Sequence, residues 1–290
     1  MIPAMVSLTF LTYGRNMAPA PLDAAVLFFF AVTGLNTLAV FVAGWSSRNK
    51  YSLLGGMRSV AQMVSYEIPL VLSGVVVAML VGSLETTRIV EAQQVTRWAG
   101  SDSAGLQALG QVLGWHVFTP WGFAGFVIFF IAALAETNRS PFDLPAAESE
   151  IIAGYLTEYS GFKFALFFLA EYVATFAIIC LAVILFLGGW NGPNLRPWWT
   201  DDPQALLIPG FVWLFLKMFV LMGVMIWIRG TLPRLRVDQL MGFAWKFLLP
   251  LALLNVFVAG FYHYVPLKVG WPVGFVVLYG TAKVLERINR

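Results

Sequence analysis

Seven stretches of this 290-residue chain run for about 20 residues with almost no charged side chain. That is the length an α-helix needs to cross a hydrocarbon core roughly 30 Å thick, at about 1.5 Å per residue. The stretches are 24–45, 59–84, 117–135, 164–190, 208–228, 240–262 and a weaker 269–284. A further apolar run, 2–13, is too short to span comfortably and reads as a partial helix; it lacks the basic segment and small-residue cleavage site of a signal peptide. None of the runs alternates with a period of two, so helices are favoured over a β-barrel. The expected fold is an all-α polytopic membrane protein with about seven full transmembrane helices plus one partial N-terminal helix. With no repeat, low-complexity tract or linker to divide it, residues 1–290 are expected to form a single integral membrane domain.

Composition excludes most other classes. The chain is 59% apolar and 11% charged, against roughly 45–50% and 25% in soluble domains, which rules out a water-soluble globule and a disordered chain. A single cysteine, Cys180, cannot build a disulfide framework, a thiolate zinc site or an iron–sulfur centre. The two histidines, His116 and His263, are far apart in sequence, which argues against a histidine-rich metal or haem site. Any redox centre is therefore expected in other chains. The net charge of +3 comes from residues scattered between apolar runs, so nucleic acid is not an expected partner and membrane orientation explains the charge better. Loops 46–58, 136–163 and 229–246, with the C-terminal tail, carry twelve Lys/Arg residues, whereas the opposite connections carry five. The excess places the first set in the cytoplasm.

The loop 136–163 stands out for its carboxylates. Glu136, Asp143, Glu148, Glu150 and Glu158 are one third of the 15 acids in the chain, and acids gain nothing from an anionic lipid surface. One reading is a solvated loop in which Glu148 and Ser149 start a helix over 150–159. The interleaved Pro141, Phe142, Pro145, Tyr155 and Tyr159 point instead to a loop folded back on protein. Two more acids lie inside spans, where a charge costs roughly 2.5–3.5 kcal/mol on insertion scales. Glu171 stands eight residues, about 12 Å, past Lys163. Glu67 stands two residues before Pro69, which should break or bend its helix. Lys217 is the third ionisable group inside a span. These three read either as a static ion-paired set or as an intramembrane proton relay.

The strings GWSSRNKYSLLGGMRSVAQMVSYEIPL (44–70), AETNRSPFDLPAAESEIIAGYLTEYSGFKFALFFLAEY (135–172), LFLGGWNGP (185–193) and IRGTLPRLRVDQLMGFAWKFLLPLAL (228–253) closely resemble the H-subunit family of proton-pumping NADH:quinone oxidoreductase, respiratory complex I, equivalent to the mitochondrial subunit 1. The resemblance runs from about residue 2 to residue 262. It implies a multi-pass heel subunit of a translocase in the bacterial inner membrane. Such a subunit joins the membrane arm to the peripheral arm, lines the quinone tunnel and couples quinone reduction to proton translocation. It implies Glu136, Arg139, Asp143, Glu148, Glu150 and Glu158 as quinone-tunnel and coupling residues, with Glu67, Glu171 and Lys217 as the intramembrane relay. Arg48, Lys50, Arg229, Arg234, Arg236 and Asp238 would dock the peripheral arm. No cofactor is implied for this chain alone; quinone is the substrate, and NADH and the iron–sulfur clusters belong to partner subunits. Membrane lipid and the other complex I subunits are the implied partners.

The resemblance has one departure: the first transmembrane helix, the following Gly/Pro/Arg-rich cytoplasmic loop and the amphipathic helix of the family have no counterpart before residue 2. A mis-called start is the expectation, with a partial chain or a separately encoded fragment as alternatives. The run 269–284 would be an extra C-terminal helix found in only some relatives. Two other classes stand beside this reading. An ion-translocating subunit of a hydrogenase-type complex would differ in its acidic loop. A stand-alone secondary transporter would need inverted repeats with paired broken helices, and the sequence offers one proline-bearing span without a matching half.

Overall fold

The computed structural model describes residues 1–14, 17–94, 112–143, 154–193, 209–264, 274 and 276–284. Helix α1 is Ile2–Thr9, α2 Ala25–Ser46, α3 Lys50–Val81 and α4 Thr86–Ala92; α5 is Pro120–Glu136, α6 Gly161–Phe186, α7 Gly210–Thr231 and α8 Val237–Tyr262. The described residues contain no strand. Five of these helices are long and apolar enough to cross a membrane, and α5 is an apolar helix of 17 residues. The protein is an all-helical, membrane-embedded chain. Its outward faces carry exposed Leu38, Phe219, Trp227, Phe257 and Phe261, as a bundle solvated by acyl chains requires.

Local chemistry sets the helix ends. Asn49 caps α3, its side chain accepting from Tyr51 N at 3.0 Å, so the helix starts nine residues before the expected 59 and absorbs most of the 46–58 connection. Thr119 caps α5 by accepting from Gly122 N at 3.1 Å, after a single 3-10 turn, His116–Phe118. Pro69 does not break α3, which runs unbroken from Lys50 to Val81; α2, α5 and α8 pack along it and hold the helical path. Helix α8 contains a π-helical stretch, Ala244–Leu248. The helix over 150–159 is not formed in its described part: Gly154–Leu156 is one 3-10 turn, and 150–153 lie outside the described residues. Of the expected run 269–284, residues 276–284 are helical, and 269–273 and 275 lie outside the described residues.

The core forms where α3 packs between α2, α5 and α8, and where α6 packs on α1, α5 and α7. The two halves of α6 differ sharply. Every residue from Ala177 to Phe186 is buried, whereas Phe162, Phe168, Leu169 and Tyr172 in the first half are exposed. The exposed half carries Glu171 and faces the acidic loop.

Candidate functional site

The site begins where α5 ends. The last carbonyls of a helix have no partner within it, and here Gln62 of α3 supplies one: its Nε2 donates to Ala135 O at 2.8 Å and to Phe142 O at 2.6 Å. Between those carbonyls the chain turns through Asn138, at positive φ, and a cis Ser140–Pro141 peptide. Phe142 then packs on Tyr66, ring centroids 5.4 Å apart. This turn buries Glu136 to 6% exposure, its Oε2 without a hydrogen-bond partner, and sends Arg139 toward α6.

Arg139 Nε stands 3.2 Å from Glu171 Oε1, and its guanidinium lies over the Tyr172 ring at 4.5 Å. Asp143 pairs with Arg234 at 3.4 Å, and Leu235 N donates to Pro141 O at 3.2 Å, which ties the α7–α8 connection to the same turn. The far end of the acidic loop is fastened to the α2–α3 corner. Ser52 donates to Tyr155 O at 3.2 Å, Tyr159 donates to Ala43 O at 2.9 Å, and Asn49 Nδ2 donates to Glu158 at 2.7 Å. Asn49 thus caps α3 with one end of its amide and holds Glu158 with the other.

Two cavities flank this framework. One, of about 80 Å³, lies between α2, α3, α5 and α6 and reaches Glu136 and Glu171. The other, of about 120 Å³, is bordered by Arg139, Asp143, Glu171 and Arg229. Asn138, Tyr155 and Glu171 belong to both walls. Either cavity has room for water, which needs only about 10–15 Å³ of such space per molecule together with polar partners. Burial, with the charges of Glu171 and Asp143 added, pushes the Tyr155 phenol well above the usual tyrosine range, so it serves as a neutral hydroxyl. Glu67 sits on α3 against α2, where Gly34 makes the room: a Cβ on Gly34 would stand 2.8 Å from Glu67 Oε1.

The structure therefore brings Glu136, Arg139, Asp143 and Glu171 around two adjoining cavities, with Arg229 in one wall and Arg234 bonded to Asp143. It does not bring Lys217 to them. Lys217 donates to the carbonyls of Leu187, Gly189 and Asn191 and lies 4.0 Å from the centroid of Trp115, capping α6 at the end opposite Glu171. Arg48, Lys50, Arg236 and Asp238 are exposed, and Asp238 lies in the first turn of α8. Glu148 and Glu150 lie outside the described residues. No group of three His, Cys, Asp or Glu placed to hold a metal occurs among the described residues. Sequence reasoning misses Gln62 and Asn49 altogether and gives Tyr155 no part beyond packing. For Gln62 a signal is present, since a lone amide inside an apolar span needs partners.

Comparison with known proteins agrees with the wording of the sequence. The family described as NADH dehydrogenase matches residues 1–260. The NADH-quinone oxidoreductase H subunit of Brevibacillus brevis is 46% identical over 254 residues, covering 88% of this chain and 67% of the relative. The H subunit of Bacillus mycoides is 46% identical over 258 residues, 88% and 68% of the two chains. That of Carboxydothermus hydrogenoformans is 44% identical over 270 residues, 93% and 69%. Identity at this level, spread over most of both partners, establishes that the chain belongs to the H-subunit family of NADH-quinone oxidoreductase and is a membrane subunit of that enzyme complex.

Proposed function

We propose that this chain couples quinone reduction to proton transfer, lining part of the quinone tunnel with the acidic loop 136–163 and facing that loop toward the cytoplasm of a bacterial inner membrane. Quinone is the substrate at this site. NADH and the iron–sulfur clusters are bound by partner subunits, which dock on the basic connections that carry Arg48, Lys50, Arg229, Arg234 and Arg236, with Asp238 beside them.

The observation that carries the reading is the junction at Glu171. One carboxylate borders both cavities, holds Arg139 from the acidic loop, and shares a cavity wall with the buried Glu136. Charge that changes near the loop alters the Arg139–Glu171 attraction, because Coulomb terms are large where little water screens them. A change there shifts which carboxylate holds a proton, and waters in the cavities can carry protons between groups too far apart to touch. Glu148 and Glu150 are assigned to the loop end of this line and Glu158 to its anchorage on Asn49. Lys217 is assigned to the fold.

Replacing Glu171 by Gln in the assembled complex tests this. The expected result is a loss of NADH:quinone activity of about tenfold or more, the scale of a lost proton-transfer group, while NADH oxidation by a hydrophilic artificial acceptor is unchanged because the upstream centres lie in other subunits. Full quinone reduction with full proton pumping would overturn the reading.

A further inference from the structure

One side chain of α3 bonds to both ends of the turn that carries Glu136 and Arg139. Gln62 is fully buried on α3, and its amide nitrogen donates twice: to Ala135 O, at the end of α5, and to Phe142 O, where the turn closes. The turn's own backbone bonds, Arg139 N to Leu134 O at 3.2 Å and Phe142 N to Arg139 O at 2.8 Å, close it on itself and do not reach α3. Other links to α3 among the described residues include the tilted ring contact of Phe142 with Tyr66, centroids 5.4 Å apart, and a long contact of 3.9 Å from Asn138 Nδ2 to Met63 Sδ. The Gln62 amide is thus a direct, doubly bonded polar tie between the helix that bears Glu67 and the turn that bears Glu136 and Arg139.

The other end of the same amide is unusual. Gln62 Oε1 is buried with no donor, as are Glu136 Oε2 and Asn138 Oδ1 in the same neighbourhood. From Gln62 to Glu67 is five residues, about 7.5 Å of rise along α3. This amide therefore acts beside the packing of α5 on α3 in setting one carboxylate against the next.

We propose that Gln62 is a positioning residue for the coupled reaction: by clamping Ala135 and Phe142 to α3, it fixes Glu136 and Arg139 relative to Glu67 and Glu171. This rests on the function proposed above. The clamp makes a separate claim about geometry, so the two can fail separately.

The test uses the purified complex with Gln62→Glu, which keeps the shape and loses the paired donors, and Gln62→Met, which keeps the length and loses all polarity. A cysteine at Ser140, in a Cys180→Ala background, reports access to the turn. Both variants are expected to raise the labelling rate at Ser140→Cys by roughly tenfold and to lower kcat for quinone by a similar factor with little change in quinone KM, since misplacing a reacting group by about an ångström costs rate on this scale or more. Proton translocation per quinone reduced falls as well. Unchanged labelling overturns the clamp. Raised labelling with unchanged kcat and pumping shows a clamp that positions nothing, and overturns the proposal. Failure of both variants to assemble assigns Gln62 to folding alone and also overturns it. If Glu171→Gln retains full coupled activity while the Gln62 variants lose theirs, the reading of Glu171 has failed and the clamp has not.

Discussion

The two ends of α6 handle buried polar groups in opposite ways. At the C-terminal end backbone carbonyls answer the amide, the imidazole and the cation that reach them. Gln93 Nε2 donates to Ile184 O at 2.9 Å, His116 Nδ1 meets Leu185 O at 3.0 Å, and Lys217 takes the carbonyls of Leu187, Gly189 and Asn191. Gly188 and Gly189 make the turn possible at positive φ, with Trp115 and Val90 so close that a Cβ would stand 2.5 and 2.6 Å from them. At the Glu171 end, charges face cavities, with Glu171 bordering both and Glu136 and Arg139 each bordering one. Both ends contain ionisable groups inside the bundle. A cation that is saturated by carbonyls has one stable arrangement and holds a helix end. A carboxylate beside a polar cavity has several arrangements close in energy, and that multiplicity is what proton transfer uses.

The sharpest way to break this contrast is Lys217→Met. Removing the cation leaves three carbonyls without their donor, and the expected loss is about 3 kcal/mol or more. Complex yield and thermal midpoint should fall together, and whatever assembles should couple normally. A variant that assembles at the ordinary level but no longer pumps would put Lys217 among the titrating groups, and the two ends of α6 would no longer differ in kind.

Glu67 sharpens the other side. A relay group needs a titrating carboxyl and tolerates a shorter one bridged by water, so Glu67→Asp should keep much of the coupled activity and Glu67→Gln should lose about tenfold or more, with assembly normal in both. Poor assembly of both would make Glu67 structural. Gly34→Ala approaches the same group from α2: the added Cβ, 2.8 Å from Glu67 Oε1, displaces the carboxylate at the end of a flexible side chain. Stability should change by less than about 1 kcal/mol, since the carboxylate end can give way and Ala gains about that much over Gly inside a helix, while coupled activity falls a few-fold. Normal kinetics in Gly34→Ala would mean the position of that carboxylate is not critical.

How much of this is legible in the sequence follows from the range of the interactions. Long apolar runs announce helices one at a time, so α2, α6, α7 and α8 lie close to their expected bounds. The early start of α3 comes from Asn49, a cap signal that lies outside the apolar run and that hydropathy does not register. Pro69 promises a break or a bend, and with packed neighbours along it the helix stays continuous through the proline. Family wording identifies the carboxylates one by one, yet it does not pair them with partners. The sequence assigns Arg139 to the loop and Glu171 to the membrane, and only the fold puts them 3.2 Å apart. It groups Lys217 with the carboxylates because all three sit inside spans; which end of a helix a side chain reaches depends on tertiary packing that hydropathy does not encode.

The effect confined to acid pH concerns His116, at the carbonyl-capped end. It lies in the 3-10 turn before α5, its ring 5.1 Å from Trp121. Burial lowers its pKa from 6.5 to about 4, against a smaller opposing pull from the Leu185 carbonyl. The unfolded chain takes up that proton near the ordinary value, so between about pH 6.5 and about 4 the unfolded state binds more protons than the folded one. Stability tied to His116 is therefore complete above pH 6.5 and drains away as the pH falls through that window. His116→Gln keeps an N–H for Leu185 and does not titrate. Its thermal midpoint should drop less than that of the parent protein between about pH 7.5 and about pH 5, by a margin of several degrees for the roughly 2 kcal/mol that this window carries, and the two should respond alike above about pH 7. Equal slopes below pH 6.5 would mean that His116 takes up its proton in the folded state, and then this end of α6 is less closed than its hydrogen bonds make it.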